Sequence, residues 1–401
     1  MSVFLGMTFC QCLEQIQLLE MPYAVKRLSG NDTGLTGGHQ AGVYLPRAFF
    51  ETGIPEINTT EAYNPRVKIE CIFPVHSGMT AELSAIYYNS KYFPERGLSK
   101  KYNEFRLTGW GGRESPVQHE DNTGCPFVFA LERNGDELRA IALVAESLED
   151  ELLIEEWLGK AIDPGEIELS FRRNGVSDDS TELPEEWLEN FPNGKTIFDY
   201  VLERLPRDGW NRTLDDLLLA RRNLEYKVFG SIEAAHVLPL VGSGFSHVDE
   251  FMKLALSVAN RRKSRTGSSL EYNLAAIFDG EGVSYGEQVT TENRKKPDFI
   301  FPSKSAYHDS KFSEDGLTML AAKTCCKDRW RQVLSEANRI EHKHLFTLQD
   351  GVSPNQLQEM ESGGLQLVVP RPNLSSFPMD WRPKILDLET FIVMVKRKQA
   401  S

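Results

Sequence analysis

The 401-residue sequence lacks any apolar run that approaches the roughly 20 residues of a membrane-spanning helix. Its first residues include no basic stretch and soon reach the carboxylate of Glu14, which does not fit a secretion signal. The six cysteines follow neither the spacing of a zinc site nor that of a disulfide framework. We therefore expect no membrane partner, reduced thiols and a cytoplasmic location.

Positive charge is also scarce, because the net charge of the chain is −13. This deficit is local. Residues 146–189 contain fifteen acidic and three basic side chains, so twelve of the thirteen net negative charges lie in this segment. The rest of the chain is nearly neutral, and the acidic total therefore does not exclude a nucleic-acid partner.

The character of the sequence changes within this acidic segment. Before it, short apolar runs such as VKIECIFPV and PFVFALE alternate with Gly, Pro and Asn, which predicts a mainly β domain. After it, apolar residues recur at three- and four-residue spacing and then alternate with short strands, which predicts an α/β domain around a mixed sheet. We predict domains at 1–170 and 184–401, joined by a polar linker at 171–183.

The candidate catalytic centre begins at Asp298, in the segment RKKPDFIFPS. An aspartate before a short apolar strand also occurs as a plain turn residue, so its partners decide its meaning. Hydrolysis of a phosphodiester with Mg²⁺ requires carboxylates for the metal and a lysine near the attacking water. Lys323 ends the next predicted strand, but Ala321 occupies the position where the second carboxylate is expected.

Two glutamates are candidates for the missing carboxylate. Glu336 borders the apolar stripe of a helix predicted after Lys323. Glu271 precedes the strands, on a helix that we expect to begin at Ser268 with a capping box. A solvated helix position explains Glu336 equally well, and the capping box explains Glu271, so spacing alone leaves both open.

Three segments resemble the catalytic half of the EcoRII restriction endonucleases, a group within the PD-(D/E)XK nuclease superfamily; they are NRRKSRTGSSLE, RKKPDFIFPSKSAYHDSKF and AAKTCCKDRWRQVLSEANRI. The resemblance implies a restriction-endonuclease-like α/β fold with Mg²⁺ as cofactor. It also implies that Asp298 and Glu336 bind the metal and that Lys323 is the catalytic lysine. The further catalytic candidates from these segments are Glu271, Tyr307 and Lys327.

The same resemblance implies DNA contacts from the catalytic half. RRKSR matches the base-reading motif of the family, in which Arg262, Lys263 and Arg265 would donate to guanine edges in the major groove. As an alternative, these are the cations of a basic helix end. Arg221 and Arg222 match an arginine run that contacts the central base pair or phosphates, and surface charge on a helix is the alternative for them.

In the N-terminal half, KRLSGNDTGLTGGHQAG and NEFRLTGWGGRESPVQHEDNTG resemble the two DNA-reading arms of the EcoRII effector domain, a pseudobarrel similar to plant B3 domains. Glycines in the first arm would allow backbone N–H groups to approach phosphates closely. The DNA contacts implied by this resemblance are Lys26, Arg27, Asn31, Asp32, Thr33, His39, Lys100, Asn103, Glu104 and Arg106.

The sequence is thus identified as a member of the type II restriction endonucleases, cutting double-stranded DNA at a CCWGG-like pseudo-palindrome. The resemblance implies a homodimer formed through the C-terminal domain, a second DNA site on the N-terminal domain, and a companion DNA methyltransferase. It further implies that the unliganded N-terminal domain covers the catalytic cleft. We hypothesise that acidic residues near the linker imitate DNA there, namely Glu149, Asp150, Glu151, Glu155 and Glu156.

Two other functions fit the same motifs. One is a repair or mismatch nuclease of the same superfamily, which would nick one strand. The other is a DNA-binding regulator with a decayed nuclease fold, against which the joint presence of Asp298, Lys323 and Glu336 argues.

Overall fold

The computed structural model describes residues 4–35, 42–93, 95, 103–135, 137–158, 162, 166–170, 183–324, 326, 329–349 and 351–400. Within these ranges the side chains of residues 148, 259 and 263–267 are not described. The predicted linker lies outside the described residues except for its last position. So do three predicted site residues, His39, Lys100 and Lys327.

The N-terminal half is built on one seven-stranded sheet, in agreement with its predicted β character. The strands are β1 (Tyr23–Arg27), β2 (Arg66–Phe73), β3 (Met79–Tyr88), β4 (Glu104–Thr108), β5 (Pro126–Asn134), β6 (Glu137–Val144) and β7 (Ile167–Leu169). Their order in the sheet is β4-β3-β2-β6-β5-β1-β7. Neighbouring strands are antiparallel, except that β2 and β6 are parallel.

Both faces of this sheet are covered, which explains why PFVFAL, residues 126–131, is continuously apolar. Phe127 and its alternate neighbours pack against α2 (Arg47–Gly53) on one face. Val128 and its alternate neighbours pack against α1 (Phe9–Leu18) and α3 (Leu148–Leu158) on the other. Successive side chains of a strand point to opposite faces, so one strand contributes to both cores.

The C-terminal half combines long helices with a five-stranded mixed sheet. Its first helices are α4 (Glu185–Glu189), α5 (Gly194–Arg204), α6 (Leu214–Ser243) and α7 (Val248–Gly280). The strands are β8 (Gly286–Glu287), β9 (Phe299–Phe301), β10 (Thr318–Lys323), β11 (Lys343–Thr347) and β12 (Leu365–Val368). The shorter and C-terminal helices are α8 (Lys304–His308), α9 (Trp330–Val333), α10 (Pro354–Ser362) and α11 (Leu388–Ala400).

The strand order is β12-β11-β10-β9-β8, with β10, β11 and β12 parallel and β8 and β9 antiparallel to their neighbours. Phe299 and Phe301 face the aromatic core formed with α7 and α11. Ile300 faces the opposite core, formed with α9 and α10. A two-part chain with a mixed sheet in its second part is therefore confirmed. No described helix has both the length and the apolarity needed to cross a membrane.

Two helix predictions are wrong. α7 runs without a break from Val248 to Gly280, so Ser268 and Glu271 lie in its interior and the capping box does not exist. The helix predicted after Lys323 is reduced, in its described residues, to the single turn Trp330–Val333. Ala337 has a left-handed backbone with φ of 47°. A right-handed helix cannot continue through that conformation.

Two contacts between the halves involve described residues of known geometry. Helix α3 lies against α7, where Arg262 donates to the Glu156 carbonyl. The second contact is between Gly351 and Thr123. A Cβ at position 351 would stand 2.6 Å from Thr123 Cγ2, and the φ of +96° also disfavours other residues. Only glycine therefore allows this close approach.

Candidate active site

Asp298 and Lys323 lie side by side at the ends of β9 and β10, two neighbouring inner strands of the five-stranded sheet. Asp298 directly precedes β9 and Lys323 ends β10, and antiparallel pairing brings the start of one strand to the end of the other. Lys323 Nζ donates to Asp298 Oδ2 at 2.8 Å, and the Ala322 N–H donates to the same oxygen at 2.7 Å. Asp298 is buried, and these two donors fix the orientation of its carboxylate.

Glu336 reaches the site from an irregular turn rather than from a helix. The next two residues anchor that turn on the loop before β9. The Ala337 N–H donates to Thr291 Oγ1 at 3.4 Å, and the Asn338 N–H donates to Glu292 Oε2 at 3.1 Å. Position 336 is therefore held from both sides, by the buried α9 turn and by this loop.

The Glu336 carboxylate lies in the electrostatic field of the other two residues. Burial raises its pKa, the charge of Lys323 opposes that rise, and the charge of Asp298 adds to it. Glu336 Oε2 is buried, and among the residues that the structure describes it has no hydrogen-bond partner. Burying a carboxylate oxygen without a hydrogen-bond partner costs free energy. An oxygen that serves to bind a ligand is expected to be left in this state by the protein itself.

Glu271 approaches from α7 on the side of Asp298. Gln288 Nε2 donates to Glu271 Oε2 at 3.1 Å and to Asp298 Oδ1 at 3.1 Å, so one amide bridges the two carboxylates. Burial and the Asp298 charge raise the pKa of Glu271, whereas Lys323 opposes the rise. The structure thus brings Asp298, Lys323, Glu336 and Glu271 together. Sequence reasoning missed Gln288, because no motif or spacing distinguishes it.

This donor set suits a hard divalent cation. The described residues contain no group of three or more His, Cys, Asp or Glu side chains placed to hold a metal ion by themselves. Mg²⁺, however, commonly takes only one or two carboxylates and completes its octahedron with water and phosphate oxygens. A fixed Asp298 carboxylate and an unpartnered Glu336 oxygen match that requirement.

Tyr307 lies behind the Glu336 turn. Its hydroxyl donates to Glu292 Oε2 at 2.6 Å, the same oxygen that accepts from Asn338. Burial and this carboxylate raise the pKa of Tyr307, so the phenol stays neutral. The described contacts of Tyr307 therefore support the turn beside the site.

All three guanidinium nitrogens of Arg262, a predicted base-reading residue, donate hydrogen bonds within the protein. Its guanidinium donates to both carboxylate oxygens of Glu233 on α6 and to the Glu156 carbonyl on α3. The backbone places Lys263 and Arg265 on the same helix, α7. Base contact through the N–H groups that donate here would require these bonds to open.

Arg221 and Arg222 are both buried, with exposures of 2% and 4%, so the alternative of surface charge on a helix is wrong. Arg221 Nε donates to the Leu205 carbonyl at 2.8 Å and thereby closes the end of α5. The Arg222 guanidinium lies over the Tyr226 ring. The structure places both arginines inside the helical part of the domain.

In the first predicted DNA-reading arm, Lys26 and Asp32 pair with each other. Lys26 Nζ donates to Asp32 Oδ2 at 2.7 Å, and the same oxygen accepts from the Ser29 N–H at 2.7 Å. Thr33 Oγ1 lies 2.7 Å from Thr123 Oγ1. These bonds shape the turn at 29–35 on which Asn31 lies.

Arg27 is buried at the foot of this arm. Its guanidinium donates to Glu151 Oε1 at 2.6 Å, to the Ile162 carbonyl at 2.7 Å and to the Gly124 carbonyl at 3.0 Å. Glu155 Oε1 lies 4.0 Å from the same guanidinium. Two carboxylates of the acidic helix α3 therefore face Arg27 inside the N-terminal half.

The second predicted arm also makes internal contacts. Asn103 Oδ1 accepts from the Lys91 N–H at 3.2 Å. Arg106 Nη1 donates to the Gly42 carbonyl at 3.3 Å and Nη2 lies 3.5 Å from Glu104 Oε2. These contacts tie the start of β4 to its neighbouring segments.

A polar cavity of about 430 Å³ lies between the halves. The N-terminal half contributes Lys26, Asn31 and Arg106, and the C-terminal half contributes Asn373 and Ser376. Arg27 and Asp32 also line the cavity, so the structure places five of the predicted DNA contacts opposite the catalytic half.

Comparison with known proteins gives matches over both halves. Residues 20–173 match the family model "Restriction endonuclease EcoRII, N-terminal", and residues 229–392 match "EcoRII C terminal". The type II restriction enzyme EcoRII of Escherichia coli is 40% identical over 381 residues, which cover 92% of each chain. The type II restriction enzyme SsoII of Shigella sonnei is 31% identical over 110 residues, covering 25% of this chain and 35% of that enzyme. A structure titled metal-depleted Ecl18kI in complex with uncleaved, modified DNA has a TM-score of 0.45 and 19% identity, covering 54% of this chain and 82% of the other.

Proposed function

Because this chain belongs to the EcoRII family of type II restriction endonucleases, we propose that it cuts double-stranded DNA at a CCWGG-like site, beginning CC and ending GG. Family membership makes it a site-specific deoxyribonuclease that requires a divalent metal ion. The observation that carries the active site is the unpartnered Glu336 oxygen beside the Asp298–Lys323 pair. A companion DNA methyltransferase would protect the same sites, without being a bound subunit.

We propose Mg²⁺ as the metal, with Asp298 and Glu336 as its protein ligands. When bound, Mg²⁺ polarises the scissile phosphate and increases the acidity of a water molecule. Lys323, held at 2.8 Å from Asp298, keeps an ammonium group where negative charge develops on the phosphate. The Ala322 N–H prevents the Asp298 carboxylate from turning away. Glu271 is a further acidic group at the site, and Tyr307 acts through the Glu336 turn; Lys327 stays a catalytic prediction by resemblance.

We propose the boundaries 1–170, 171–183 and 184–401 for the effector domain, linker and catalytic domain. The effector domain would be a B3-like pseudobarrel that binds a second DNA site through the two predicted arms. In the catalytic domain the predicted DNA contacts are Arg222, Arg262, Lys263 and Arg265. Arg262 donates to Glu233 on α6 and to Glu156 on α3, so donation from these N–H groups to guanine requires both contacts to open and α3 to withdraw.

The proposed covering of the catalytic cleft by the effector domain rests on this α3 contact. The contact uses the main-chain carbonyl of Glu156, not its carboxylate. Glu151 and Glu155 face Arg27 instead. The hypothesis that acidic side chains imitate DNA is therefore restricted to Glu149, Asp150 and Glu156.

We propose a homodimer formed through the hairpin of α6 and α7. The hairpin exposes seven large apolar side chains, namely Leu238, Leu240, Val241, Val248, Phe251, Met252 and Leu256. Such a patch is unusual on a monomer and is expected to be covered by a second copy. A two-fold protein also matches the two-fold symmetry of a palindromic site. Leu256→Asp should shift the chain from dimer to monomer in sedimentation velocity, and an unchanged dimer would exclude this surface.

The test of the nuclease function uses plasmids that contain one or two CCWGG sites, incubated with the full chain and Mg²⁺. We expect double-strand cuts whose sequenced ends lie at the sites, and faster cutting of the two-site plasmid. Asp298→Ala should retain binding to a CCWGG duplex and lose cleavage. Nicks without double-strand cuts would indicate the repair nuclease, and binding without cleavage by the unsubstituted chain would indicate the regulator.

A further inference from the structure

Gln288 occupies the space between two carboxylates of the site. Its Nε2 lies 3.1 Å from Glu271 Oε2 and 3.1 Å from Asp298 Oδ1. Carboxylates only accept hydrogen bonds, so the group facing both must be the NH₂ of the amide, which has two protons to donate. One side chain thus satisfies both carboxylates and holds them near each other despite their like charge.

The backbone of Gln288 is unusual for its residue type. Its φ is 47°, in the left-handed region where a non-glycine residue costs roughly 1 kcal/mol. The Gln288 N–H donates to the Asp298 carbonyl at 3.1 Å, at the end of the β8–β9 pairing. Glycine would form this turn without strain, so the turn alone does not explain a glutamine. Strained positions that persist next to an active site suggest a functional side chain.

We infer that Gln288 is a positioning residue for the metal site. Its amide holds the Glu271 carboxylate against Asp298, so that Glu271 joins the acidic cluster instead of turning into solvent. Asp298 in turn is held by three donors, the Gln288 amide, the Ala322 N–H and Lys323 Nζ. This inference rests on the proposed function, because it concerns the metal bound at Asp298.

The role differs from that of a plain turn residue in a measurable way. A turn residue affects only stability, whereas a hydrogen-bond partner of a metal-site carboxylate also affects metal affinity. Loss of such a partner typically weakens metal binding about 10- to 100-fold. Gln288→Ala and Gln288→Gly both remove the amide, but only glycine relieves the backbone.

The experiment measures Mn²⁺ binding to the full chain without DNA, from the loss of the free-ion EPR signal, together with thermal unfolding. Mn²⁺ takes the same oxygen ligands as Mg²⁺. The set is the unsubstituted chain, Gln288→Ala, Gln288→Gly, Asp298→Ala and the control Gln358→Ala, an exposed glutamine on α10. We expect both Gln288 variants to bind Mn²⁺ about 10- to 100-fold more weakly, with Gln288→Gly unfolding at the higher temperature of the two.

Normal Mn²⁺ affinity in either Gln288 variant, with Asp298→Ala deficient, would overturn the inference and leave the metal site intact. If Asp298→Ala binds Mn²⁺ normally, the metal site of the proposed function is wrong and the inference is lost with it. Weaker binding in Gln358→Ala as well would assign the loss to general destabilisation, and would also count against Gln288.

Discussion

The two halves of the molecule differ in what their predicted functional residues contact. In the catalytic half, Asp298, Lys323 and Glu336 converge, and one Glu336 oxygen has no hydrogen-bond partner among the described residues. In the N-terminal half, Lys26 and Arg27 form buried ion pairs within their own domain. The first arrangement is ready to receive a ligand. The second holds a loop and a helix in place, and leaves those two cations engaged before any DNA arrives.

The sharpest test of the first arrangement compares the two glutamates near Asp298. Glu336→Gln keeps the size of the side chain and removes the charge of a proposed metal ligand. We expect cleavage to fall about 10⁴-fold, equivalent to about 5 kcal/mol, because metal stabilisation of the transition state is worth several kcal/mol.

Glu271→Gln should cost less, about 10- to 100-fold, because Glu271 stands beside Asp298 through Gln288 instead of offering an unpartnered oxygen. Single-turnover cleavage of a two-site duplex measures both variants, with duplex affinity as the control for folding. The reverse order of the two losses would make Glu271 the principal second carboxylate.

Site residues on regular strands could be placed from the sequence, whereas those on irregular turns could not. The proximity of Asp298 and Lys323 was predictable because antiparallel pairing of two short buried strands brings their ends together. Glu336 was predicted by resemblance, but on a helix. The left-handed Ala337 and the bonds to the Thr291 loop replace that helix, and no sequence periodicity encodes them. Gln288 was missed for the same reason.

In the N-terminal half the sequence predicted a mainly β domain from its alternation of apolar residues, and the seven-stranded sheet agrees. The contacts of Lys26 and Arg27 were not predictable, because their partners lie on other segments. Arg27 pairs with Glu151, 124 residues away along the chain. A basic pair in a glycine-rich loop fits phosphate binding and internal pairing equally well until the fold places the acids.

The second arrangement is tested by removing Arg27. Arg27→Met retains the apolar stem and leaves Glu151 buried without its cation. Breaking a buried pair in this way typically costs about 3 to 5 kcal/mol, so we expect a loss of that size in the free energy of unfolding. Urea denaturation followed by circular dichroism measures it.

Arg133→Met is the matched control, because Arg133 pairs with Glu56 at a position where both side chains are 43% exposed. Exposed pairs contribute about 0 to 1 kcal/mol. If Arg27→Met lowers the free energy of unfolding by less than about 1 kcal/mol, the Arg27 pair does not stabilise the fold. Arg27 could then contact DNA at little cost, and the contrast drawn between the two halves would be wrong.

The catalytic half also contains a buried ionisable side chain outside the candidate metal site. Asp215, at the start of α6, is fully buried, and its Oδ1 accepts from the Leu388 N–H at 3.3 Å. Burial and the nearby Asp387 raise the pKa of Asp215 to about 7. The folded chain thus retains a proton that the unfolded chain releases, and the free energy of unfolding falls as pH rises from about 4 to about 7.

Asp215→Asn should remove this component. Relative to the unsubstituted chain, the variant should gain stability across that pH range and keep the gain above pH 7, by about 4 kcal/mol for a pKa raised from 3.8 to about 7. Denaturation of both chains at several pH values isolates the difference. A difference that does not change with pH would show that Asp215 is ionised in the folded chain.

The smallest expected effect concerns Arg262, a predicted DNA contact of the catalytic half whose guanidinium donates to Glu233 and to the Glu156 carbonyl. Glu233→Gln replaces a carboxylate that accepts from two nitrogens of this guanidinium, and leaves the Glu156 carbonyl in place. Replacing a charge-assisted pair by a neutral hydrogen bond weakens it by about 1 kcal/mol, so a CCWGG duplex should bind about 5- to 10-fold more tightly.

Fluorescence anisotropy without metal measures the duplex affinity. Glu359→Gln is the control, because Glu359 forms an exposed pair with Arg331. Tighter binding in Glu233→Gln alone would show that Arg262 exchanges its internal ion pair with Glu233 for a contact with DNA. Equal affinity in all three chains would instead group Arg262 with Arg27, as a cation that the fold itself uses.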